Sequence, residues 1–368
     1  DAEEEVRRLL GDRDGARLVV FTDSGTSALT LALRGARVLG REPVAFPGFS
    51  CYDLGTAWMG AGVQPVLYDL DPITLGPRMA SLRAALESGA GAVVTAYLYG
   101  IPLDWERLSE TPGDDDPLVI EDAAQATGCE WKSRRAGSFG DLSVLSFGRG
   151  KGRTGGGGGA LLALTERGRE VVSRLDTESL AARGSVLPLL RSAAQWILSR
   201  PSLYGIPASL PGLDLGETVY HPPSGEAAIS PFSLGVLRET MDLEAEAARR
   251  RRERARRLLE GVHEADDLRA VEPPAGGTAG YLRLPVLARS PAHGRLGSEH
   301  AVRLGVMPSY PRPLHRVPEL AGSIGPSRPD LVGAEELSRD LFTLPTHVRV
   351  TRRELAKIVD IVRGSPSE

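Results

Sequence analysis

From about residue 17 to residue 165 the chain repeats one pattern: a short, almost unbroken apolar run, then a stretch with helical spacing. "ARLVVF" leads into "SGTSALTLALRGARVLG" and "PVAF" into "SCYDLGTAWMGAG"; "QPVLYDLD", "GAVVTAYLYG", "PLVIED", "DLSVLSF" and "GALLALT" continue the series. A strand that alternates polar and apolar residues has one wet face, and a run without alternation has none. Strands of the second kind, interleaved with helices, suit a mainly parallel sheet covered on both faces. The expected fold class is α/β.

The regularity fades after residue 165. Pro201, Pro207, Pro211, Pro222 and Pro223 break up the next stretch, so an irregular, proline-rich insert is expected over about 180–225. The pattern "SPFSLGVLRETMDLEAEAARRRRERARRLLEGV" then reads as a long helix, and "AGYLRLPVLA" with a last helix in "TRRELAKIVDIV" makes a smaller α+β unit. The expected division is a large domain over 1–235 and a small C-terminal domain over 236–368. The arginine block invites a nucleic-acid reading. Glu239, Glu244, Glu246 and Glu253 intersperse it, however, as on a solvated helix with i,i+4 pairs.

Composition removes several function classes. A net charge of -4 leaves no basic excess to hold a phosphate backbone, so no nucleic-acid partner is expected. Cys51 and Cys129 are the only cysteines, and the six histidines lie apart without HxxxH or CxxC spacing. Neither a disulfide scaffold nor a metal site is expected from such a set. No apolar run has the length of a membrane span and no signal peptide opens the chain, so a cytoplasmic protein is expected.

In open α/β sheets ligands gather beyond the carboxyl ends of strands, often at helix N-termini. Three stretches reach that edge. In "FTDSGTSALTLAL", Ser24, Gly25 and Thr26 close a strand and open a helix whose free N–H groups suit a phosphate. In "LVIEDAAQATG", Glu121 and Asp122 end a strand and Gln125 follows three residues on. A carboxylate there can bind magnesium, a ribose or a protonated ring nitrogen, and the residues alone do not choose. In "SFGRGKGRTGGGGG", Ser146 and Lys151 precede glycines that let the backbone crowd a ligand. This is not a P-loop, because Gly152 stands where a serine or threonine is required. Of 44 lysines and arginines only Lys132, Lys151 and Lys357 are lysine. Arginine stays protonated, whereas lysine can lose its proton and attack as an amine. Lys151 is thereby the candidate nucleophile.

A phosphate cradle, a strand-end acid and a lone lysine are the parts that a pyridoxal phosphate enzyme needs. The ordered segments "SGTSALTLAL", "EDAAQA", "GSFGDLSVLSFGRGK" and "GGGGALLAL" resemble the DegT/DnrJ/EryC1/StrS family of pyridoxal phosphate aminotransferases. So do "FPGFSCYDLGTAWMGAGVQPVLYDLDP", "YLYGIPLDWERL", "YPRPLHRVPELA" and "LPTHVRVTRRELAKIV". The resemblance implies an aspartate-aminotransferase-like large domain (fold type I), pyridoxal 5'-phosphate as cofactor, and a homodimer. It also implies transfer of an amino group, from glutamate, to the keto group of a sugar or nucleotide-linked sugar.

Carried over by position, Lys151 would be the Schiff-base lysine and proton shuttle. Asp122 would pair with the pyridine nitrogen, and Gln125 would contact the phenolic oxygen or ring face. Main-chain groups of Gly25 and Thr26, with the Ser146 hydroxyl, would hold the phosphate. The family's ring-stacking aromatic falls at Cys51, so either the thiol or its neighbour Tyr52 takes that place. His315 matches a histidine near the sugar, and His347 is expected to be structural. The chain departs from the family at Glu226, Ala227, Ala228 and Ile229, where an Asn-Tyr-Arg-Met segment reaches the neighbouring subunit, and at Tyr97, which replaces a histidine. A lyase or dehydratase using the same cofactor, or a non-catalytic protein that kept the fold, are the alternatives; a retained lysine disfavours the dehydratase.

Overall fold

The computed structural model describes residues 2–110, 116–186, 188–190, 192, 218–325 and 330–364. Its main sheet has seven strands: β1 (Leu18–Thr22), β2 (Val44–Pro47), β3 (Pro65–Tyr68), β4 (Ala92–Ala96), β5 (Leu118–Asp122), β8 (Leu142–Ser146) and β9 (Gly159–Ala163). They lie in the order β1-β9-β8-β5-β4-β2-β3. β2, β3, β4, β5 and β8 pair in parallel, while β9 runs against both of its neighbours, β8 and β1. Helices α2 (Gly25–Val38), α3 (Asp53–Ala61) and α4 (Met79–Glu87) supply the crossovers that parallel neighbours require. Every residue of β2, β4 and β9 is buried, which accounts for the unbroken apolar runs. β9 is reversed because only the glycine-rich loop joins it to β8, with no helix between to carry the chain back.

Beyond β5 a hairpin of β6 (Glu130–Trp131) and β7 (Arg134–Arg135) is joined by β11 (Gly277–Thr278) from the far end of the chain. The C-terminal part carries a four-stranded antiparallel sheet, β10 (Leu268–Ala270), β12 (Arg283–Ala288), β14 (Leu341–Pro345) and β13 (Met307–Pro308). Residue 236, next to the expected domain division, lies inside helix α7 (Pro231–Thr240). Leu234, Leu237 and Met241 pack with Val6 and Leu10 of helix α1 (Ala2–Asp14) and with Phe21 of β1. The expected insert at 180–225 lies largely outside the described residues.

The arginine-rich helix α8 (Glu244–His263) has two characters. Arg249 pairs with Glu246 and Glu253, and Arg250 with Glu246, as expected of a solvated face. Arg251 departs from that expectation: it is buried, and donates to Gly280 O at 2.8 Å and Thr127 O at 3.0 Å. Its neighbour Glu244 is buried too. Charge spacing along a helix cannot reveal which turn faces protein carbonyls.

Candidate active site

β1, β2, β4, β5 and β8 end at one edge of the sheet, and residues just past those ends enclose a cavity of about 190 Å³. Gly25, Thr26, Cys51, Asp122, Gln125, Ser146 and Lys151 all line it. Tyr52 does not: it is buried, with its hydroxyl 3.3 Å from Arg312 O. His315 lies at a separate depression of about 540 Å³, with Nε2 3.0 Å from Glu335 Oε1. His347 is held below its ordinary value by burial and by the charges of Arg283, Arg349 and Arg254.

The first wall is the start of α2. Ser24 caps the helix, accepting from Ser27 N at 3.0 Å, and Ser27 Oγ donates to Asp23 Oδ1 at 2.6 Å. The remaining amides of the first turn have no intrahelical acceptor. Gly25 lets this turn meet the end of β8; a Cβ there would stand 2.8 Å from Ser146 Cβ.

The second wall is the end of β5, where adjacent side chains point to opposite faces. Glu121 turns inward and is fully buried. It accepts from Tyr97 Oη at 2.6 Å, Gly137 N at 2.8 Å, Gly140 N at 2.6 Å and also from Phe139 N. Burial pushes its carboxyl up, while these four donors act against that rise. Asp122 turns to the cavity instead, with one backbone donor, Ala124 N, at 3.1 Å. Burial raises its pKa; the Lys151 charge and that N–H pull it down without cancelling the rise. Of the two strand-end acids, Asp122 is the one left wanting a cationic partner. Gln125 is held at both ends, accepting from Tyr99 N and donating to Tyr310 Oη, each at 3.0 Å.

The third wall is the glycine-rich loop. Thr127 Oγ1 donates to Lys151 O at 2.7 Å. Gly152 has φ 81°, and a Cβ there would lie 2.8 Å from both Leu282 Cδ2 and Thr127 Cβ. The backbone at and just after the lysine is therefore gripped. The Lys151 charge also reaches Cys51, whose thiol is pushed up to about 12 from an ordinary 9.0, first by burial and then by Asp53. Cys51 is expected to resist alkylation by iodoacetamide at pH 9–10, where thiols of the unfolded chain react readily; half-maximal reactivity of the native protein at pH 9 would refute this. Among the described residues no cluster of three His, Cys, Asp or Glu is placed to hold a metal, and no helix is long and apolar enough to cross a membrane.

Asp53, Ser50 and Tyr97 also face the cavity and were not singled out as site residues from sequence. Tyr97 stood out only as a departure at the family's histidine. Asp53 had one usable signal, an acid opening the helix that follows a strand end. That is also the commonest place for an acid to offset a helix dipole.

The family model for the DegT/DnrJ/EryC1/StrS aminotransferase family matches residues 2–185. An L-glutamine:2-deoxy-scyllo-inosose aminotransferase of Streptoalloteichus tenebrarius is 31% identical over 252 residues, 68% of this chain and 54% of that protein. A UDP-N-acetyl-3-dehydro-alpha-D-glucosamine 3-aminotransferase of Acidithiobacillus ferrooxidans is 33% identical over 171 residues, 46% of this chain and 45% of that one. The matched part is thus about half the length of these curated relatives. A crystal structure of a DegT DnrJ EryC1 StrS aminotransferase from Brucella abortus superimposes with a TM-score of 0.75 at 22% identity, covering 99% of this chain and 90% of that one. The fold is that of the fold type I pyridoxal phosphate enzymes, as the sheet order and the strand-edge cavity also indicate. Within that class, the chain belongs to the DegT/DnrJ/EryC1/StrS aminotransferase family.

Proposed function

We propose that the chain is a pyridoxal 5'-phosphate-dependent aminotransferase that carries an amino group from an amino acid to the keto group of a sugar or nucleotide-linked sugar. The observation that carries this reading is the meeting of a lone lysine, an under-partnered aspartate and a helix N-terminus in one cavity. The residues fit the cofactor. Asp122 is desolvated without a full complement of donors, and a protonated ring nitrogen supplies both charge and donor. The first turn of α2 with Ser146 Oγ offers neutral donors to a phosphate.

When bound, the cofactor supplies an aldehyde that captures amines and a ring that accepts the electron pair released at the substrate carbon. Lys151 Nζ would tether it and, once displaced from that link by the donor's amine, would take up the proton from the donor's α-carbon, returning one to the acceptor's carbon in the second half-reaction. Ionised Asp122 keeps the ring nitrogen protonated. Glu121, locked by four donors on the opposite face of β5, fixes the rotation of the strand and so the aim of Asp122. The Cys51 thiol, protonated at neutral pH, gives an uncharged contact at the cavity wall.

The donor expected from sequence is glutamate; the Streptoalloteichus relative is named for L-glutamine. Both belong in the test. Protein loaded with pyridoxal phosphate should lose its visible band on adding one of them, and regain it when a keto sugar nucleotide is converted to its amine. Ketone consumed without an equivalent of amine formed would favour a lyase, and a band indifferent to every donor would favour a binding protein. The reading includes a cytoplasmic homodimer, which sedimentation should find at twice the chain mass. Gly25→Ala forces α2 and β8 apart and is expected to weaken pyridoxal phosphate binding about tenfold, read from the absorbance titration, with native affinity as the contrary result.

A further inference from the structure

Two residues past Lys151 the chain hides a charge. Arg153 is 6% exposed and lies between two carboxylates hidden as deeply, Asp14 (3%) at the end of α1 and Glu244 (5%) at the start of α8. Arg153 Nε and Nη2 are each 3.0 Å from Glu244 Oε2, and Nη1 is 3.4 Å from Asp14 Oδ2. Arg135 of β7 closes the ring, with Nε 3.2 Å from Asp14 Oδ1 and Nη2 on Glu244 Oε1. The two positive and two negative charges alternate, so the cluster is neutral. Burial pushes the Glu244 carboxyl up, but Arg153 and Arg135 more than offset it and hold it below its ordinary range.

A buried ion ring is an expensive way to gain stability, since apolar side chains of like volume do as well. What it supplies is direction: each guanidinium donates to carboxylates only in its own plane. Here the ring joins four segments distant in sequence, namely α1, β7, the lysine loop and α8. The loop needs such a fixture, because seven of the ten residues from 150 to 159 are glycine, and besides Lys151 itself only Arg153 and Thr154 carry a side chain. Thr127 and the crowded Gly152 hold the backbone at and just after Lys151, and Arg153 is the next side chain along, able to anchor the loop one residue further on.

We propose that Arg153 is a positioning residue for Lys151, the Asp14–Arg153–Glu244–Arg135 ring fixing the glycine-rich loop so that the lysine amine stands in the cavity beside Asp122. The inference rests on the aminotransferase reading. Its test compares loaded wild type, Arg153→Met, Arg153→Met/Glu244→Met and Arg153→Lys in melting temperature, kcat, donor KM and the pH midpoint of the visible band. Arg153→Met leaves two acids facing one cation and should melt early. The double variant leaves the neutral Asp14–Arg135 pair, so it should melt close to wild type. Its kcat should still be down about 10- to 100-fold, with donor KM within about twofold and a displaced pH midpoint, because the amine is misplaced rather than lost. Arg153→Lys should recover part of kcat. A double variant that folds with native kcat and midpoint would overturn the inference alone. A wild type that forms no visible band with the cofactor overturns the functional reading, and this inference with it.

Discussion

Lys151→Ala is expected to bind pyridoxal phosphate without the visible band of lysine-linked cofactor, and to lose turnover by roughly 10⁴-fold or more. Two jobs vanish together, the tether and the proton shuttle, and no neighbour can take them over. Lys132 pairs with Glu106 and sits over Trp131 on the β6–β7 hairpin, and Lys357 lies on the last helix, Arg352–Arg363. Neither lines the cavity. Lys151→Arg separates charge from chemistry: it keeps a cation near Asp122 but offers no neutral amine, so it should be as inactive as the alanine variant. Added methylamine should restore a little turnover to Lys151→Ala. Its fold should survive, with a melting temperature within a few degrees of wild type, since only a partly exposed side chain is shortened. Retention of the visible band in either variant would remove the central residue from the mechanism.

The sheet was legible because its signal is local. Strands buried on both faces must be apolar throughout, and helices between them leave their own period. The reversed β9 was not, because GALLA is as apolar as its parallel neighbours and strand direction is decided by a loop's length. The lysine could be read from its isolation among arginines and its place after a strand. The choice of Asp122 over Glu121 came from the family resemblance and not from the local pattern, since it depends on a turn at 137–140 that brings three amides to one acid. Cys51 and Tyr52 pose the same problem: which of two neighbours faces a cavity is fixed by the aromatic packing that takes up Tyr52 beside Tyr310. Arg153, Glu244, Asp14 and Arg135 are spread over 231 positions (244 less 14, counted inclusively), and nothing in the local charge pattern links them.

The neighbours on β5 are expected to fail in opposite ways. Glu121→Gln replaces an acceptor-only group with one that must donate, and four donors already face it. At least one buried N–H or hydroxyl loses its partner, so stability should fall by about 2–3 kcal/mol. Activity per folded molecule should change far less. Asp122→Asn keeps the shape and removes the charge, so kcat should drop roughly 10²–10⁴-fold while the fold persists. The sign of its stability effect follows from linkage. Burial raises the Asp122 pKa above its ordinary 3.8, so the native state holds the proton more tightly than the unfolded chain. That contribution is full below pH 3.8 and is lost as pH rises through the native pKa, leaving a desolvated carboxylate that costs stability at neutral pH. Cofactor-free Asp122→Asn should therefore melt above cofactor-free wild type at pH 7, by roughly 2 °C, and the gap should close toward pH 3. Loading the cofactor should reverse the order, because only the aspartate gains a cationic partner. A cofactor-free Asp122→Asn that melts below wild type at pH 7, or a loaded one that keeps native kcat, would show that this carboxylate does not serve the ring nitrogen.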